Sequence, residues 1–192
     1  MRKLKFVFIL SIAFCLAVPV GTIFHELGHY IVAQFYYDIV TLHKASVTYF
    51  EYRLLEDEEL ANFNIILGGP ISSILISILG IYLISNKPFT RISITNYPLA
   101  SILKIVFAFF ISREVFISLQ LVFNEGVSNA DEYKIPDYLN LNVQHFNIVV
   151  FIIAVSICFS ILHRTVEKDS KALFLLSAAI GCGVGYWAWV LS

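Results

Sequence analysis

The sequence predicts an all-α polytopic membrane protein, with about five transmembrane helices and a short strand-like extramembrane segment after the first. Three observations lead there. Of the 192 residues, 58% are hydrophobic and only 14% are charged, whereas soluble domains carry about 25% charged residues. The mean hydropathy is +0.79. The apolar residues gather into runs of about 20, the length that crosses the hydrocarbon of a bilayer. The chain has no internal repeat and no low-complexity linker, so residues 1–192 read as one membrane-embedded domain. A net charge of −1 points to no nucleic-acid partner.

The apolar runs cover residues 4–37, 62–84, 99–123, 146–163 and 172–191. Lipid offers no partner to backbone polar groups, so each run is expected to be helical. The first is long enough to be one helix bent near Pro19 or two shorter pieces. Its opening, MRKLKFVFILSIAFCLAVPVG, also has the basic start and apolar core of a secretory leader. The apolar run continues through IVAQFYY and no clear A-x-A site appears, so an uncleaved first span is expected. After it, ASVTYFEY at 45–52 is rich in β-branched and aromatic residues and reads as a short strand. Cys15, Cys158 and Cys182 lie in apolar runs without metal-type spacing and read as small apolar residues.

Loop charges predict orientation. Arg2, Lys3 and Lys5 precede the first span, Lys87 and Arg91 follow the second, and Arg164, Lys168 and Lys171 follow the fourth. The segments 38–61 and 124–145 lean acidic. With five crossings the basic segments share one side, which the positive-inside rule makes cytoplasmic. The expected location is therefore the cell membrane, multi-pass, with a cytoplasmic amino terminus.

Residues 25–29 read HELGH, inside the first apolar run. On a helix, His25 and His29 lie on one face and can share a metal ion. Glu26 is rotated about 100° from His25, near enough to flank a water on that ion. Zinc accepts imidazole nitrogens and acidifies bound water, and the glutamate serves as general base. The plain alternative is polar packing between helices. Each ionisable group at membrane depth costs about 2.5–3.5 kcal/mol on insertion scales, which favours a functional reading. A third ligand is needed. Val32 and Phe35 stand where a metzincin needs glycine and histidine, and Glu51 falls in the expected strand rather than on a helix.

HELGH in an early membrane helix, then LGGP at 67–70 opening a second, resembles the site-2 protease family of intramembrane zinc metalloproteases. The small size and GVSNADEYKIP at 126–136 are similar to its compact bacterial branch, and the likeness covers roughly residues 20–160. It implies His25 and His29 as zinc ligands, Glu26 as base and Asp131 as third ligand. Ser73 stands where many relatives have asparagine, and the usual Asn-Pro-x-x-x-x-Asp-Gly signature is absent around Asp131.

Placement argues for Asp131 separately. His25 lies about 20 residues, or roughly 30 Å of helix, past the basic amino terminus, hence near the non-cytoplasmic side. Asp131 follows the third span on that same side. Asp137, Glu125, Glu132 and His145 remain alternatives, and Ser128-x-x-Asp131 also matches a helix cap.

Gly68 and Gly69 leave room either for an extended substrate or for close helix packing. Arg113 and Glu114 lie mid-span; as neighbours they are not expected to pair, and Glu114 is a candidate to orient a ligand imidazole. Residues 54–59 read as a solvated face or a helix amino-terminal turn, and Gly181, Gly183 and Gly185 as a packing face. The expectation is an intramembrane or membrane-proximal zinc metalloendopeptidase acting on membrane-associated polypeptides. The alternative is a zinc-binding multi-pass membrane protein without proteolysis, such as a transporter or an inactive relative. A pure ligand site has no need of Glu26, and a transporter is expected to show internal repeats.

Overall fold

The computed structural model of the chain describes residues 1–53, 57–86, 89–123 and 130–189. The first apolar run is a single helix, α1 (Arg2–Ala33), with Pro19 inside it. Proline removes one helical hydrogen bond, which membrane helices tolerate. The chain then turns into a hairpin of β1 (Tyr37–Leu42) and β2 (Val47–Tyr52), antiparallel, with Tyr37 opposite Tyr52 and Leu42 opposite Val47. The strand expected at 45–52 thus begins two residues later. Its partner β1 occupies residues that the sequence reading gave to the end of the first run and to a loop.

Helix α2 (Glu58–Asn86) starts where the Asp57 carboxylate accepts the Leu60 N–H at 3.0 Å. Glu58 and Glu59 fill its first turn, where negative charge complements the helix dipole. The acidic run therefore forms the amino-terminal turn from Asp57 onward; Leu54, Leu55 and Glu56 lie outside the described residues. The third run is not one continuous helix. It is α3 (Leu99–Ala108), a tight 3-10 turn at Phe109–Ile111, and α4 (Ser112–Phe123). Short α5 (Asp131–Tyr138) and long α6 (Val143–Thr165) follow, then a 3-10 turn at Lys168–Ser170 and α7 (Lys171–Trp189).

Five helical segments are long and apolar enough to cross a membrane: Arg2–Ala33, Glu58–Asn86, Leu99–Phe123, Val143–Thr165 and Lys168–Trp189. Their outer faces carry exposed large apolar residues such as Phe8, Leu16, Ile78, Ile152 and Val184. A water-soluble protein would bury these; facing lipid, they cost nothing. The protein is a multi-pass membrane protein. The Leu99–Phe123 segment is half buried within the protein, against 17% for Arg2–Ala33. Glu114 lies on the buried side of this segment, and Arg113 is partly buried.

The chain forms two compact units. The first comprises Met1–Gly21, Leu75–Ile111 and Ser156–Ser192. Its core is apolar: Phe14, Phe109 and Phe174 pack edge-on or tilted, with ring centroids 5.4–6.1 Å apart. Glycines let its helices approach. A Cβ on Gly181 would meet the Ser11 carbonyl oxygen at 2.3 Å, and one on Gly185 the Cys15 carbonyl oxygen at 2.6 Å. Gly183, between them, faces open space, so only two of the three glycines form the packing face. Ile92 joins Val166 as a parallel bridge, tying the loop after α2 to the end of α6. Lys87 lies outside the described residues.

The second unit comprises Thr22–Ile74 and Ser112–Val155. Its apolar cluster is small: Ala33, Tyr37 and Ile65, with Tyr36, Tyr49 and Tyr52 against them. It contains HELGH, the hairpin, α4 and α5.

Candidate metal centre

The site begins with a close helix crossing. A Cβ on Gly28 would lie 2.1 Å from the Gly68 carbonyl oxygen, and one on Gly68 2.6 Å from that of Gly28. Only glycine at both positions lets α1 and α2 touch backbone to backbone. Ser72 Oγ fastens the crossing by donating to the Phe24 carbonyl at 2.6 Å. Of the two readings of the glycine pair, Gly68 therefore serves helix packing.

The crossing sets both histidines. His29 Nδ1 donates to the Ile65 carbonyl at 2.6 Å, and His25 Nδ1 lies 3.1 Å from Ser73 Oγ. A carbonyl can only accept, so the His29 ring carries a proton on Nδ1, and in the neutral ring Nε2 then presents its lone pair. Such outer hydrogen bonds orient imidazoles that bind metals. For His25 the orienting contact is Ser73 Oγ.

The two Nε2 atoms face each other at 3.2 Å. Asp131 Oδ2 completes a triangle, 2.9 Å from His25 Nε2 and 3.1 Å from His29 Nε2. Two imidazole nitrogens and a carboxylate oxygen thus converge, an arrangement that a cation, whether a proton or a metal ion, would hold together. Tetrahedral zinc with bonds of about 2.0–2.1 Å places its ligand atoms about 3.3 Å apart, close to this triangle. Among the described residues, His25, His29 and Asp131 are the one such group that could hold a metal.

Gly69 shapes the same spot. A Cβ there would fall 2.3 Å from His29 Nε2 and 2.5 Å from His25 Nε2. Gly69 therefore leaves unfilled the space next to both nitrogens. The residues present fit a metal ion in donor set, spacing and room.

Burial by itself opposes ionisation of Asp131. Its contacts with His25 and His29 outweigh that and hold the carboxyl well below the usual carboxylate range. Asp131 would ligate a metal in this ionised form. It is the first residue of α5, whose cap position is Ala130 with no side-chain cap bond. The carboxylate faces the histidines rather than capping the helix; Ser128 of the capping pattern lies outside the described residues. Glu26 is half-buried beside the group.

The other candidate acids stand elsewhere. Glu132 is buried and paired with Arg113. Asp137 and His145 are exposed. Glu51 is exposed on β2 with a φ of 59°. Glu125 lies outside the described residues.

The expectation for Arg113 and Glu114 needs correcting. Arg113 Nη1 does donate to Glu114 Oε1, at 3.2 Å, and also to Glu132 Oε1. The long arginine stem lets one nitrogen reach both carboxylates, although they flank it on different elements. It is Arg113, not Glu114, that touches a candidate ligand: its Nη2 lies 3.2 Å from His25 Nε2. Below these groups Asn147, fully buried, donates from Nδ2 to the Glu132 carbonyl at 3.1 Å and holds α5 to α6. Sequence reasoning missed Asn147, Ile65 and the contact of Arg113 with His25. A charged pair in the middle of an apolar span was the available signal for the last. Compared with family models, with characterised proteins and with solved structures, the chain finds no match.

Proposed function

We propose that the protein is a zinc metalloendopeptidase of the site-2 protease kind, cleaving peptide bonds of membrane-associated polypeptides in or at the cell membrane. The observation that carries this reading is the convergence of His25 Nε2, His29 Nε2 and Asp131 Oδ2 within hydrogen-bond distance, beside Glu26. His25, His29 and Asp131 would hold the ion. Bound zinc supplies Lewis acidity, polarising a carbonyl and acidifying water.

The chain's own groups do the rest. Glu26 takes the proton of the attacking water and passes it to the leaving amine. The Ile65 carbonyl keeps a proton on His29 Nδ1, and Ser73 holds the orientation of His25. Gly69 leaves the ligand nitrogens approachable. Glu26 separates this reading from that of a zinc-binding protein without hydrolysis, because simple ligation uses no carboxylate at that place.

The amino terminus is assigned to the cytoplasm. The unit that includes it carries nine Lys and Arg against two Asp and Glu, the bias that the positive-inside rule assigns to the cytoplasmic side. The decisive experiment compares purified wild type with Glu26→Gln. Wild type should hold one zinc per chain and cleave a membrane-anchored polypeptide. Glu26→Gln should keep the zinc and lose cleavage, because an amide cannot take the proton. Folded wild type with sub-stoichiometric zinc would undo the reading.

A further inference from the structure

Arg113 is a permanent cation placed where a metal site gains nothing from one. Its Nη2 is 3.2 Å from His25 Nε2, within about 5 Å of any ion bound there at ordinary bond length. A guanidinium cannot shed its charge. Beside a dication it is repulsive, so it weakens metal binding. Yet the fold goes to some length to keep it. The 3-10 turn at Phe109–Ile111 ends just before it, and Arg113 falls in the first turn of α4. Glu114 and Glu132, both buried, share its Nη1. Asn147 in turn anchors the backbone of Glu132.

This division of labour leaves Nη2 directed at the site, while Nη1 takes the two carboxylates. The side chain is still 30% exposed, so the pairing does not enclose it completely. A fixed donor with positive charge, aimed at a hydrolytic centre, suits negative charge that develops on the substrate. In peptide hydrolysis that charge appears on the carbonyl oxygen, and pre-set donors there are among the largest contributors to rate.

Resting on the reading of the site as a zinc peptidase, we infer that Arg113 is its oxyanion-stabilising residue, with Glu114 and Glu132 as positioning residues. The substrate class follows: a peptide carbonyl, or any acyl group whose transition state carries an oxyanion beside the ligand histidines.

The test uses full-length protein in detergent, with zinc and a phosphoramidate dipeptide as probes. The phosphoramidate presents a tetrahedral anionic oxygen to the metal. Arg113→Gln should bind zinc as tightly as wild type, or up to about tenfold more tightly, since a repulsive charge is gone. It should bind the phosphoramidate at least thirtyfold more weakly. Its kcat on a cleaved polypeptide should fall by about 10²–10³ with KM little changed. Because Arg113→Gln leaves two buried carboxylates without their partner, Arg113→Gln/Glu132→Gln serves as a second variant and should behave alike. Arg113→Lys should recover part of the phosphoramidate affinity. If either folded variant keeps zinc and wild-type phosphoramidate affinity, the inference fails and the peptidase reading stands. A folded variant that loses zinc would make Arg113 a support of the metal site and overturn the inference. Wild type that binds no zinc overturns the peptidase reading itself.

Discussion

The two compact units are built from the same membrane helices but solve opposite problems. One holds nine basic and two acidic residues, and the other holds four basic and twelve acidic. The first buries phenylalanines, with glycines where α7 approaches α1. The second buries two histidines, two glutamates and an asparagine, and its apolar cluster is small. Helix α1 makes the contrast within one element: it gives Phe6, Leu10 and Phe14 to the first core, then His25 and His29 to the second. Shape-matched packing holds the first unit together, because lipid offers helices no hydrophobic incentive to associate. Hydrogen bonds that would be costly to break in a dry interior organise the second.

Under the proposed function, substitutions in the two units should separate zinc binding from stability. The largest effect is expected at Asp131. Asp131→Asn should fold, lose most of its zinc and be inactive, because an amide is a poor zinc ligand. Exposed Asp137→Asn should keep both properties. Metal content by atomic absorption decides it, and full zinc in Asp131→Asn would move the third ligand elsewhere.

Gly69→Ala should come next. Its methyl group would enter the space between the two Nε2 atoms, so zinc affinity should drop sharply while the melting temperature changes little. Isothermal titration with zinc provides the readout, and wild-type affinity would mean that the crossing yields easily.

Phe174→Ala sharpens the comparison from the other side. Removing a fully buried ring should cost about 3–5 kcal/mol of stability, yet the surviving folded protein should bind one zinc per chain. Loss of zinc in protein that remains folded would show that the two units do not divide the labour as described.

The smallest effects concern exposed positions. Cysteines at Thr48 and Asn140 should leave activity intact, and both should be labelled by an impermeant reagent in intact cells. Labelling of only one would break the five-span topology. Gly183→Ala, unlike its neighbours at 181 and 185, should be neutral or slightly stabilising, since a Cβ there meets nothing within 4 Å.

The five membrane segments were legible because each is a long apolar run, and a bilayer imposes helix on such a run whatever its neighbours do. The facing of His25 and His29 was legible for a similar reason: helical periodicity alone puts positions four apart on one side. So was β2, from its β-branched and aromatic residues.

Other features were decided only by the tertiary structure. Strand β1 exists because β2 offers it a ladder; YDIVTL by itself reads equally well as the end of a helix or as a loop. The turn at Phe109–Ile111 carries neither proline nor glycine, so nothing local announces it. Asp131 and Glu132 are adjacent acids in one short helix, and composition cannot separate them. The fold directs Asp131 to the histidines and Glu132 to Arg113. Gly68 and Gly69 likewise look identical in sequence, yet a difference of about 100° around α2 turns one to the backbone of α1 and the other to the imidazoles. Local pattern sets which residues can share a face, and the crossing of helices distant in sequence sets what that face meets.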